Sequence, residues 1–161
     1  MSKNHLHSEI GIAPQAQKLP NLVTDGTYGS ATDIMAMPAA KALAILQDSG
    51  ASVYARAKAC QRLAVVGDGH AVPAVAPLLT DPQLSHYART ALETNPGTGA
   101  DDALRAALPK VKGVLLVGVI NSIGTRRDVK AIATLEKLRH DDDGEVARAA
   151  DAALARIRPP L

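Results

Sequence analysis

Residues 55–79, ARAKACQRLAVVGDGHAVPAVAPLL, decide how this chain reads. Ala55, Ala59 and Leu63 fall four apart on one helical face, and Gly67-Asp68-Gly69 then breaks the chain. Val72, Val75, Leu78 and Leu79 make a second apolar stripe beyond the break. The stretch therefore predicts two short helices folded back on each other.

Working outward, the same unit returns. First-helix stripes are Ala55-Ala59-Leu63, Leu84-Ala88-Leu92, Leu115-Val119-Ile123 and Val146-Ala150-Leu154, whose last members advance in steps of 29, 31 and 31 residues. Second-helix anchors at Leu43, Val75, Leu104 and Leu135 advance by 32, 29 and 31. Two independent series with nearly one period exclude a chance pattern in an alanine-rich chain. Turn residues fall where the period requires them. Gly67-Asp68, Asn95-Pro96-Gly97 and Gly124 with Asp128 separate the helices within units. Asp81-Pro82, Pro109 with Gly113, and Asp141-Asp142-Asp143-Gly144 join one unit to the next. Pro77, inside a second helix, removes a hydrogen bond and predicts a kink. Pro159-Pro160 ends the pattern.

Before the first full unit, Ala31 opens a helical signal, and Leu43 and Leu46 mark a second helix whose first partner is missing or degenerate. Residues 1–30 lack periodicity. They read as an irregular arm whose Ile10, Ile12, Leu19, Leu22 and Val23 are apolar enough to lie on the domain formed by residues 31–158. His5 and His7 belong to that polar end.

A helix pair of about 30 residues repeated in tandem is the unit of an α-solenoid. The lettering Ala59-x-x-x-Leu63-x-x-x-Gly67-Asp68-x-x-Ala71-Val72-Pro73-x-Val75-x-x-Leu78-Leu79 resembles the HEAT repeat, and Ser122-Ile123-Gly124 with Asp128 and Ala131-Ile132 repeats part of it. The resemblance covers residues 38 to 157. It implies an all-α fold: a right-handed α-solenoid of about four HEAT-like antiparallel helix pairs, the first and last incomplete. It says little of function, because such arrays serve unrelated systems. Arg56, Arg89 and Arg148 stand seven, three and six positions before their leucine anchors, so they form no arginine ladder.

Composition fits helices that approach closely. Hydrophobic residues make up 47% of the 161, aromatic ones only 2%, with neither Phe nor Trp. Such a set suits a sandwich or barrel poorly. A net charge of +2 gives no global attraction to nucleic acid or membrane, and three tyrosines provide no aromatic interleaving for bases. The longest apolar run, Val114 to Ile120, is far short of a membrane span and is interrupted by Gly118. The terminus MSKNHLHSEIG has no apolar stretch of signal-peptide length, which makes the cytoplasm the default for a full-length chain. Cys60, the only cysteine, has no histidine beside it in sequence and reads as a small buried hydrophobe.

No catalytic constellation is expected. There is no His-Glu dipeptide of the di-iron hydroxylase kind, and the cluster His140-Asp141-Asp142-Asp143 fails the EF-hand spacing, whose twelfth position would be Ala150. That cluster reads as a turn that also caps the last helix, and neither a metal nor a cofactor is expected. The sequence thus predicts a non-catalytic interaction or scaffold module that binds a protein partner on its surface. Candidate contacts are polar positions assigned to second helices: His70, Gln83, Arg105, Arg127, Lys130, Glu136 and Lys137. Between 105 and 139, Arg105, Lys110, Lys112, Arg126, Arg127, Lys130, Lys137 and Arg139 are opposed only by Asp128 and Glu136, a basic excess that reads as a solvated face or, if it lines the edge of successive repeats, as a patch for an acidic protein or phosphate groups. Two alternatives stand beside this scaffold reading: an enzyme accessory such as a HEAT-like bilin lyase or chaperone, which the resemblance implies, and a repeat segment of a larger protein, which the incomplete first and last pairs suggest. The incomplete first and last pairs also raise end-to-end self-association.

Overall fold

A computed structural model describes residues 24–158, and the fold is all-α apart from one tiny hairpin. The readings made for His5, His7, the apolar positions from Ile10 to Val23 and Pro159-Pro160 lie outside the described residues. Within the predicted arm, β1 (Thr24–Asp25) pairs antiparallel with β2 (Gly29–Ser30). Asp25 Oδ1 closes the turn by accepting from the backbone N–H groups of Thr27 and Tyr28 at 2.8 and 2.9 Å. Gly29 takes φ +85°, and a Cβ there would sit 2.6 Å from the Asp33 carboxylate. Strands this short carry no alternation, so the sequence pattern offers no sign of them.

Helix α1 (Ala31–Met35) begins with a capping box between Ser30 and Asp33, and α2 (Ala39–Gln47) follows Pro38. These supply the short first partner that the sequence left missing. The buried face of α2 is Ala42 and Ile45, whereas Leu43 and Leu46 are half-buried, so the expected stripe is displaced by one residue. Helix α3 (Val53–Val66) is capped by Ser52. The expected kink at Pro77 is more severe than a bend. The second element is a 3-10 turn (Gly69–Ala71), one α turn, α4 (Val72–Val75), and a second 3-10 turn (Ala76–Thr80). Pro73 and Pro77 each remove an amide donor, and tighter turns replace the lost α bonds. Asp81 accepts from Gln83 and Leu84 in the turn that leads to α5 (Ser85–Glu93).

Helix α6 (Gly99–Ala107) runs into a 3-10 turn at Leu108–Lys110. Helix α7 (Gly113–Arg126), a 3-10 turn (Val129–Ala131), α8 (Ile132–Leu138) and α9 (Gly144–Ile157) complete the order. Gly124 does not break the third unit as expected, because it lies inside α7. The break is at Arg127, in the left-handed conformation (φ 54°, ψ 42°), whose N–H returns to Ile123 and Gly124. Gly124 serves packing instead: a Cβ on it would lie 2.9 Å from the Ala153 Cα of α9. The Asp141–Asp143 segment is a cap as expected, with Asp143 Oδ1 accepting from Glu145 N at 2.9 Å.

Packing follows the stripes. Helix α3 lies against α5, α5 against α7, and α7 against α9, while α4 touches α2 and α6, and α8 packs on α9. One apolar cluster extends from Ile34 in α1 to Ile157 in α9. Every first-helix stripe residue is buried except Leu115, which is half-buried against that cluster.

Polar bonds tie neighbouring pairs at nearly the sequence period. Thr94 Oγ1 donates to Ala64 O, 30 residues away, and Asn95 Nδ2 to Asp68 O, 27 away, both at 2.7 Å. Arg89, lying across Gly118, donates to the Gly118 carbonyl 29 residues on. Arg126 does most. Its guanidinium donates to the carbonyls of Leu92, Glu93, Asn95 and Gly97 and pairs with Asp101, so it closes the end of α5 from the next unit. Arg56 instead reaches Asp48 O and Arg148 pairs with Glu145, so the three arginines that look alike in sequence have three different roles.

The hairpin is held by two side chains. Tyr28 Oη donates to the Asp48 carboxylate, and Ser52 Oγ to that of Asp25. The Tyr28 bond pulls the Asp48 carboxyl below the ordinary 3.8, helped by Gly50 N–H, and raises Tyr28 above 10.0. A depressed acid stabilises the fold above its unfolded value and loses that contribution as pH falls through its folded value. A raised tyrosine loses its contribution as pH rises through its folded value. The hairpin tie therefore holds between these limits, and in Tyr28→Phe the Asp48 carboxyl, followed by NMR, moves back toward 3.8. Arg126→Ala is expected to cost about 3 kcal/mol in urea denaturation, because carbonyls and Asp101 lose a shared charged donor. Arg126→Lys recovers little of that loss, since one ammonium cannot span the same acceptors.

Candidate interaction surface

A row of grooves borders the core, lined by partly exposed residues together with core members such as Leu63, Ala71, Ala107 and Leu108. Pro73, Ala76, Pro77 and Thr80 share one face of the α4 segment, and Ala103, Ala106, Ala107 and Lys110 share the facing side of α6. Each set follows the i, i+3, i+4, i+7 spacing of one helical face. Between them is a cavity of about 380 Å³. Small side chains keep it open, and Lys110, exposed, stands at its rim. A neighbouring cavity of about 410 Å³ separates α6 from α8, lined by Arg105, Leu108, Pro109, Thr134 and Leu138. A third, of about 260 Å³, lies where Ala39, Ala40 and Leu43 of α2 meet Leu63 and the Gly67–Ala71 turn.

The seven residues singled out in the sequence are not brought together. His70 stands in the 3-10 turn before α4, 93% exposed, with Nδ1 3.1 Å from Asp68 Oδ1. The His70 amide, and then its ring, hold the Asp68 carboxyl below the ordinary range. Gln83 lies in the turn before α5 and Arg127 in the cap of α7, so neither is on a second helix. Lys130 is in the turn before α8. Arg105 is committed internally: it pairs with Asp102 and with Asp128, itself 8% exposed. Glu136 is held by Arg139 and Arg158, with Arg139 the larger cause of its lowered pKa. Lys137 is exposed, and no carboxylate lies within 4.0 Å of it among the described residues.

The basic excess is also redistributed. Arg126 is 11% exposed and bound to Asp101, and Arg139 pairs with Asp151 as well as Glu136. The carboxylates of residues 101, 102 and 151 lie outside the 105–139 window but reach into it through the fold. Lys112 precedes α7 and Arg127 caps its other end, and 14 helical residues separate the two by about 20 Å. The lysines at 110 and 112 therefore form one basic feature, and Arg127 with Lys130 another.

Sequence reasoning missed the groove itself. Its signal in the sequence is a second i, i+3, i+4, i+7 series, mostly of small residues, at 73–80 and 103–110, of which Ala107 also belongs to the buried core.

Cys60 lies apart from these features, fully buried in α3. Burial pushes its thiol up to about 12, so it carries no thiolate near neutrality. In the native protein it is expected to resist a soluble disulfide reagent at pH 8 and to react once denaturant opens α3. Absorbance of the released thiolate follows the reaction. Compared with protein-family models, curated proteins and solved structures, the chain matches none.

Proposed function

We propose that the chain is a HEAT-like right-handed α-solenoid of about four helix pairs that binds a protein partner along its second-helix face, without catalysis. Support for the architecture comes from agreement between the sequence steps of 29 to 32 residues and the inter-unit bonds at separations of 27, 29 and 30. The first helices α3, α5, α7 and α9 also meet in chain order.

The observation that carries the functional reading is the groove between 73–80 and 103–110. Alanine and proline leave room for a partner's side chains, and Lys110 supplies a positive rim with no carboxylate within 4.0 Å among the described residues. An acidic segment with apolar anchors fits that combination: its apolar groups enter the groove and its carboxylates meet the lysine.

Filling the groove tests the reading. Ala106→Arg and Ala76→Arg are expected to weaken partner binding at least about tenfold in titration calorimetry with a partner identified by affinity capture. The circular dichroism of both variants should match the wild type, because neither residue belongs to the buried core. Undiminished binding by the double variant would sink the proposal.

A further inference from the structure

The turn that ends α7 holds an arginine in a conformation that suits glycine. Arg127 takes φ 54° and ψ 42°, and among the described residues no other residue except glycine has a positive φ. Glycine adopts that conformation without the Cβ clash an arginine incurs, and helices that stop this way mostly end on glycine. The Arg127 side chain gains nothing inside the chain in return. It is exposed, and among the described residues its guanidinium has neither a carboxylate within 4.0 Å nor a hydrogen bond.

Two exposed residues of the same turn accompany it. Lys130 also has no carboxylate within 4.0 Å among the described residues, and Val129, between the two cations in sequence, is 64% exposed. Carboxylates around the turn are already committed, Asp102 and Asp128 to Arg105 and Asp101 to Arg126. Asp128 also accepts from the Lys130 backbone N–H at 3.0 Å, so that amide is fixed while the ammonium stays free. Arg105 links the turn to the cavity of about 410 Å³ between α6 and α8, which it lines with Leu108, Pro109, Thr134 and Leu138. Two uncommitted cations thus stand on a turn bonded to the polar wall of a mainly apolar cavity.

We infer that this turn and cavity form a second docking site, which takes an acidic segment of a protein partner. Carboxylates of the segment pair with Arg127 and Lys130, and an aliphatic side chain enters the cavity beside Leu108 and Leu138. Charge complementarity selects this occupant, because no carboxylate of the chain answers either cation. A nucleic acid would want stacking rings, and neither the turn nor the cavity lining contains an aromatic side chain. The α6 helix divides this site from the groove between α4 and α6, and the two do not depend on each other. Exposed ion pairs contribute little each and are screened by salt, so the segment binds weakly and less well as salt is added.

The test uses the full chain carrying Lys110→Gln, which removes the cation at the rim of the other groove and so separates the two sites. It is titrated with a short fluorescent peptide that has glutamates on either side of a leucine pair, and with the glutamine counterpart of that peptide. Anisotropy reads the affinity and amide NMR the location. The glutamate peptide is expected to bind and to shift the amides of Val129, Lys130 and Thr134, and the glutamine peptide to bind far less. Arg127→Gly and Lys130→Gln should each weaken binding about threefold, and together about tenfold. Arg127→Gly should do so without lowering the urea midpoint, since glycine relaxes the left-handed backbone. A lowered midpoint would show that Arg127 serves the fold and would overturn the inference. So would no detectable binding, equal binding of the two peptides, amide shifts confined to other turns, or undiminished affinity in the double variant.

Discussion

The structure depends on how closely its helices approach. With neither Phe nor Trp, the chain cannot fill wide gaps, and alanine outnumbers leucine among the buried residues. Contact is made where side chains are smallest: Gly124 against Ala153, and Gly118 beneath Arg89. Dispersion is then gathered from many short contacts between backbones instead of a few large side chains. Close approach also brings the carbonyls of one helix within reach of the next unit's side chains. Thr94, Asn95 and Arg126 exploit this, and their bonds convert a packing period into a hydrogen-bonding period.

Apolar periodicity made the helices legible in sequence. Burial decides which residues repeat, and eleven of the twelve first-helix stripe positions are fully buried for that reason. Glycine was less readable, since the same residue marks a chain break and a close contact. Gly67 does both, capping α3 where a Cβ would meet the Leu63 carbonyl, whereas Gly124 lies inside α7 and only makes room for Ala153. The left-handed Arg127 gave no sign at all, because nothing about arginine announces that conformation. Charge was the least legible property. A count between 105 and 139 missed Asp101, Asp102 and Asp151, which the fold delivers from outside that window to Arg126, Arg105 and Arg139.

The candidate surface follows from the same composition. The positions of the α4 segment and of α6 that face each other are mostly small, so these second elements stand apart across a groove. Proline contributes twice. Pro73 and Pro77 shorten the α4 segment into tighter turns, and they leave a face without long side chains. A groove formed this way needs no dedicated machinery. It is what remains where facing positions are small and the elements do not close on each other.

This spacing has a mechanical consequence. Where α7 meets α9, Gly124 lies against the backbone of Ala153, and a change of angle there would drive atoms together. Between α4 and α6, and between α6 and α8, open volume of 380 and 410 Å³ separates the elements. Rotation is therefore resisted where α7 meets α9 and least hindered where α4 faces α6. A small rotation of α4 against α6 would change the width of the groove that Ala76 and Ala106 line.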